Sequence, residues 1–290
     1  MISLKLNDGR MLSYNIFGDQ NGIPVIFSHG FTDSHVIRHP DDRILEEHGI
    51  RWIAADEPGV GYSSPNHGRK MIDWGNDMEE LANHLTLDTF HVAGHSGGGP
   101  HALAIAHHLP DRVTSIALAA PAAPFSDPAT YKMLKLSAHR FLAKTHHFSF
   151  ICKFLMKLAS NKVQKDPEKF LVEAAKTAPN EGKTLLYNEA YIEMFAENFR
   201  IGFMNKGEGA VEMFQALWDW GFDIKNVTQP TIIFNCMADD IFYPEMGYYL
   251  RDKLPNSSLY SWENASHYAF VEKEHWIEFI NAAIGKQPEK

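Results

Sequence analysis

Six residues, Gly94-His95-Ser96-Gly97-Gly98-Gly99, stand directly after a short apolar run, Phe90 to Ala93, and directly before a helix-like segment, Gly98 to His108. A serine raised at a strand-to-helix turn has its hydroxyl clear of the sheet and the N-terminus of the next helix aimed at whatever it attacks. Such a turn forces the serine backbone into a strained conformation and brings the residues two places on either side close together. Gly94 and Gly98 are the small residues this requires. A serine hydroxyl is a poor nucleophile at neutral pH and needs a base. Of the 16 histidines, His267 is the candidate, because it follows a strand-like run, Ser258 to Trp262, and a short loop. A base needs a carboxylate to hold its tautomer. Asp239-Asp240 follows another such run, Thr231 to Cys236, and precedes a helix-like one. Two adjacent aspartates cannot face one ring; Asp240 is chosen and Asp239 kept as the alternative. The oxyanion formed by attack on a carbonyl needs two donors. The Gly97 N–H is one, and the Phe31 N–H, in the loop His29-Gly30-Phe31-Thr32-Asp33, is the other.

These residues lie at the ends of elements that must position them. Apolar runs at Ile23 to Ser28, Arg51 to Ala55, Phe90 to Ala93, Thr114 to Ala119, Thr231 to Cys236 and Ser258 to Trp262 read as buried parallel strands. Ile2 to Leu6 and Met11 to Phe17 flank Asn7-Asp8-Gly9 and read as an antiparallel hairpin. Helix-like segments fall between the strands, at Val36 to His48, Ile72 to Leu85, Gly98 to His108, Tyr243 to Lys253 and Lys273 to Ile284. Alternation of this kind predicts an α/β sheet covered on both faces. From Phe125 to about Phe222 no strand pattern appears. Tyr131 to Leu142, Phe148 to Leu158, Pro167 to Lys176 and Val211 to Trp220 look helical, and the stretch is too long for a simple connection. It is expected to be a helical cap, residues 125–222, on a core of residues 1–124 and 223–290. Its apolar residues (Met133, Phe141, Phe148, Phe154, Met156, Met194, Phe195, Phe199, Met204) serve either an apolar substrate group or the cap's own packing.

Composition bounds the partners. The chain has 290 residues, 44% hydrophobic and 22% charged, enough for one large domain or a core with an insertion. A net charge of −9 argues against nucleic acid as a main partner. A local basic patch would draw on Lys132, Lys135, Arg140 and Lys144. Cys152 and Cys236 have no metal-type spacing and are expected to be buried thiols. No signal-like run opens the chain and no apolar stretch reaches transmembrane length, so a cytoplasmic location is expected. The pairs His107-His108 and His146-His147 point in different directions on a helix and are not metal sites.

Four motifs together resemble the α/β-hydrolase family, in its branch of capped esterases and proline-iminopeptidase-like hydrolases. They are His29-Gly30-Phe31, Asp56-Glu57-Pro58-Gly59-Val60-Gly61-Tyr62-Ser63, the serine turn, and the late Asp240 and His267. The resemblance spans nearly the whole chain outside the insertion. It implies an eight-stranded, mostly parallel sheet with helices on both faces plus a helical cap, with the second motif a structural turn beside the site. It also implies that the acid sits four residues before a helix-opening proline; Pro244 then selects Asp240, although Met237 and Tyr243 stand where the family favours glycine and valine. Ser96 argues against the dehalogenases and epoxide hydrolases of the family, which carry aspartate there. No cofactor and no metal are expected. The expected activity is that of a serine esterase, acting on a small, apolar ester-like substrate through an acyl-enzyme. A lactonase, amidase or aminopeptidase, acyltransferase or carbon–carbon bond hydrolase would use the same triad. A non-catalytic ligand-binding module of the same fold is the remaining reading.

Overall fold

In the strand Ile23–Ser28, alternate side chains point to opposite faces, and both sets are apolar. Val25 and Phe27 pack with Trp52, Trp276 and Phe279 on one side, while Ile26 packs with Trp74, Met78 and Leu103 on the other. A strand buried on both faces belongs in the middle of a sheet covered by helices on each side. The computed structural model of the chain describes residues 1–134, 140, 149–175, 185, 188–239 and 241–288. Its strands are β1 (Ile2–Lys5), β2 (Met11–Gly18), β3 (Ile23–Ser28), β4 (Ile50–Ala55), β5 (Phe90–His95), β6 (Val113–Ala119), β7 (Thr231–Cys236) and β8 (Ser257–Trp262). They form one eight-stranded sheet in the order β1-β2-β4-β3-β5-β6-β7-β8. The β1–β2 and β2–β4 pairs are antiparallel and the rest parallel, so the leading hairpin forms one edge.

The core helices are α1 (Arg43–Glu47), α2 (Trp74–His84) and α3 (Gly98–His108). The helix expected over Val36 to His48 is reduced to α1. Pro40 lacks an amide and disfavours helical backbone at the residue before it, so no helix can run through it. Between β6 and β7 come α4 (Pro128–Tyr131), α5 (Ser149–Lys165), α6 (Pro167–Ala175), α7 (Glu189–Gly202) and α8 (Glu208–Ala216). Two more α-helices follow, α9 (Glu245–Lys253) after β7 and α10 (Lys273–Ala283) after β8.

Within the insertion, α5 runs a further two turns beyond the expected Leu158, and α8 begins at Glu208 rather than Val211. The helix α7, capped by the Asn188 side chain on the Ala190 amide, has no counterpart among the expected elements. Most of the expected Tyr131 to Leu142 helix lies outside the described residues, as do Phe141, Phe148, Lys135, Lys144, His146, His147 and Lys176. Both cysteines are buried free thiols. Among the described residues, no helix is long and apolar enough to cross a membrane.

Candidate active site

The turn after β5 shows why its residue types matter. Ser96 has φ 54°, a left-handed backbone that a serine adopts only under constraint. Its amide donates to the Ala119 carbonyl, and its carbonyl accepts from Gly99 and Ala122, so neighbouring backbone holds the strain in place. A Cβ on Gly94 would stand 2.4 Å from the Gly98 carbonyl oxygen, and one on Gly98 would stand 2.0 Å from that of Ser28. Neither position has room for any side chain. Ser96 is buried at the mouth of α3, whose N-cap is Gly97.

His267 sits in the loop after β8, and its Nδ1 lies 2.7 Å from Oδ2 of Asp239, which follows β7. Both residues are buried. The other Asp239 oxygen, Oδ1, accepts from the amides of Ile241 and Phe242 at 2.7 and 2.9 Å. The carboxylate is thereby oriented by backbone on one oxygen and by imidazole on the other. This corrects the choice of Asp240: the carboxylate against the ring belongs to Asp239. Asp240 itself lies outside the described residues. Counting four residues back from Pro244 gives Asp240, whereas the carboxylate found against the ring stands one residue earlier.

Across from the serine, the loop after β3 brings the Phe31 amide nitrogen within 3.4 Å of where a Cβ on Gly97 would stand. Phe31 and Gly97, the two expected oxyanion donors, are thereby close neighbours in the fold. A Cβ on Gly30 would reach 3.1 Å from the Ser96 Cβ, so this close approach also depends on glycine. The insertion holds the loop. Asn198 of α7 accepts from the Ser34 amide (2.8 Å) and hydroxyl (3.0 Å) and donates to Asp33 Oδ1 (2.8 Å), all of it buried. Gly202 of the same helix lies so close to the Thr32 carbonyl that a Cβ would stand 2.0 Å from its oxygen.

Two further networks surround the turn. The His95 ring stacks on Phe270, and its Nε2 lies 3.0 Å from the His267 carbonyl oxygen, to which it must donate. Its Nδ1 then faces Asp33 Oδ2 at 3.7 Å. Burial lowers the His95 pKa, with Asp33 acting in the opposite direction. Behind the helix mouth, His101 Nδ1 donates to the Gly97 carbonyl (2.9 Å), and its Nε2 accepts from Arg69 (2.9 Å) and lies 3.1 Å from Glu57. Burial, and then the Arg69 charge, hold His101 well below the usual histidine pKa, while burial raises that of Glu57 well above the carboxylate range. Asp56 accepts from His35 and Ser13 at the start of the second motif. Burial works to raise its pKa, but the His35 contacts outweigh it and hold the group below its ordinary value. In sequence, His95, Asp33, Asn198, Arg69 and His101 carry no signal of these roles; their partners come from distant segments.

Ser96 and His267 line one cavity of about 210 Å³. Its remaining walls come from the loops after β3, β7 and β8 (Phe31, Thr32, Ile241, Phe242, Tyr268) and from the stretch between β6 and β7 (Phe125, Met156, Phe203, Phe214, Leu217). No acidic, lysine or arginine side chain is among the described lining residues. Of the described residues, His67, Glu208 and Glu212 could surround a metal ion, but none lines this cavity. His67 already pairs with Glu212 (2.6 Å), and Lys153 reaches Glu208 (3.4 Å).

The alpha/beta hydrolase fold family matches residues 23–274. An uncharacterized hydrolase of Bacillus subtilis, YcgS, is 31% identical over 111 residues, 38% of each chain. A proline iminopeptidase of Clostridium botulinum is 24% identical over 293 residues, covering 94% of each. Among solved structures, the enol-lactonase from Burkholderia xenovorans superposes with a TM-score of 0.72 at 17% identity, over 98% of this chain and 100% of that one. The matches to the first curated relatives span less than half of those relatives' own length.

Proposed function

This chain belongs to the α/β-hydrolase fold family, and on that premise we propose that it is a serine hydrolase of small, apolar carboxylic esters, with residues 125–222 acting as a cap over the site. One observation carries the reading: a strained buried serine and a histidine oriented by a carboxylate open onto the same apolar cavity. Ser96 Oγ attacks the ester carbonyl as His267 Nε2 takes its proton. Asp239 stabilises the imidazolium through Nδ1, and the amides of Phe31 and Gly97 receive the oxyanion. The imidazolium protonates the leaving alcohol. His267 next activates a water molecule that releases the acid and returns Ser96.

The apolar lining supports a neutral ester over a substrate with a free amino group, such as the peptides of an iminopeptidase. A buried ammonium would need an acidic partner, and none is among the described lining residues. The test is a burst-phase assay with short and medium p-nitrophenyl esters. The wild type should show a burst, and Ser96→Ala should lower kcat by about 10⁴-fold or more while remaining folded. Unaltered hydrolysis by the alanine variant would remove Ser96 from the mechanism.

A further inference from the structure

The helix α5 has two different sides. Its inner side buries Cys152, Ser160 and Val163 and turns Met156 toward the cavity that holds Ser96. Its outer side is apolar where a water-facing helix is ordinarily polar: Phe154 is 61% exposed, Leu158 46% and Leu155 36%, with Phe150 at 68% on the same side. Phe150, Phe154 and Leu158 recur every four residues and so form one stripe. Lys153 and Lys157 run along one border of it, and Lys162 and Lys165 follow Leu158 at its C-terminal end. All four lysines are exposed, and the helix contains no acidic residue. Lys153 also reaches Glu208 of α8. In a chain of net charge −9, this is a concentrated cationic and apolar face.

We infer that α5 docks the protein on an anionic lipid surface, with Phe154, Leu155 and Leu158 entering the headgroup boundary and the flanking lysines on lipid phosphates. An apolar stripe bordered by lysines is the composition that lies in a membrane interface. The charge decides for lipid over a second copy of the chain, because two such faces would bring eight lysines together. The same helix contributes Met156 to the reaction cavity, so docking sets the site one helix thickness from the lipid. An ester dissolved in the bilayer is then the substrate class. That last step rests on the proposed hydrolase activity; the docking does not.

The experiment is flotation of the full-length protein with vesicles of phosphatidylcholine alone or with about 30% phosphatidylglycerol, at low and high salt. Anionic vesicles should carry at least tenfold more protein than neutral ones, and high salt should release most of it. Phe154→Asp/Leu158→Asp and, separately, Lys153→Glu/Lys157→Glu should each lower the bound fraction at least tenfold. Both should keep hydrolysis of a soluble p-nitrophenyl ester within about twofold of wild type, since these exposed side chains lie outside the cavity lining. No binding, binding that does not distinguish the two vesicle types, or binding unchanged by both variants would overturn the inference. So would a concentration-dependent dimer in sedimentation velocity that Phe154→Asp/Leu158→Asp abolishes, which would give the stripe to a second copy. Docking without any esterase activity would leave the lipid surface standing and remove only the hydrolase reading.

Discussion

Replacing Asp239 by asparagine tests its proposed role as the acid with little change in shape. The Ile241 and Phe242 amides both donate to Oδ1, so the asparagine must keep its carbonyl oxygen there. Its NH2 is then forced into the place of Oδ2, 2.7 Å from His267 Nδ1. Two donors cannot share that contact, so the imidazole moves its proton to Nε2 and offers its lone pair on Nδ1 to the amide. The nitrogen facing the serine is then no longer a base. A tautomer trapped in this way costs about 10⁴-fold in kcat, or roughly 5 kcal/mol of transition-state stabilisation. KM for a p-nitrophenyl ester should change little, because the cavity walls are untouched. Asp240→Asn should leave kcat within a few-fold of wild type, since the Nδ1 position is already taken by Asp239. Stopped-flow burst kinetics on the two variants would measure this. A kcat for Asp239→Asn within about tenfold of wild type, or a larger fall for Asp240→Asn, would refute the assignment.

Other consequences follow from the same geometry. Asn198→Asp puts a carboxylate against Asp33 and should lower kcat about tenfold or more, with KM nearly constant, by loosening the Phe31 loop; weaker inhibition by a trifluoromethyl ketone, which reads the oxyanion donors, would separate this from simple loss of packing. Gly98→Ala drives a Cβ into the Ser28 carbonyl and should destabilise the fold by about 3 kcal/mol in urea titrations, and an unchanged midpoint would contradict the close approach. His29, His95 and His101 all have pKa values lowered by burial, so below about pH 6.5 the unfolded chain binds protons that the folded chain refuses. Stability should therefore fall as pH drops from 7 toward 5. The raised pKa of Glu57 acts oppositely, because the folded state takes up that proton first. A melting temperature that rises steadily over this range would show that Glu57 outweighs the three histidines.

Much of the molecule is legible in local pattern. Parallel strands buried on both faces read as unbroken apolar runs, as Val25-Ile26-Phe27 does, and the serine turn announces itself because backbone sterics demand glycine at Gly94 and Gly98. His267 is found from its place after a strand, since sites in parallel sheets form at strand ends. The choice between Asp239 and Asp240 is different. Adjacent residues share every sequence signal, and only the path of the loop, fixed by the Ile241 and Phe242 amides, decides which carboxylate meets the ring. Pro40 was visible in the sequence, yet the length of helix it leaves depends on how the loop after β3 packs. The helix α7 has no clear signal in local pattern, and neither has Asn198, whose partners lie 164 and 165 residues away. Short-range periodicity determines which segments bury apolar surface. Which distant polar groups satisfy one another inside that surface is settled only when the whole chain has folded, because each such bond depends on two segments arriving together.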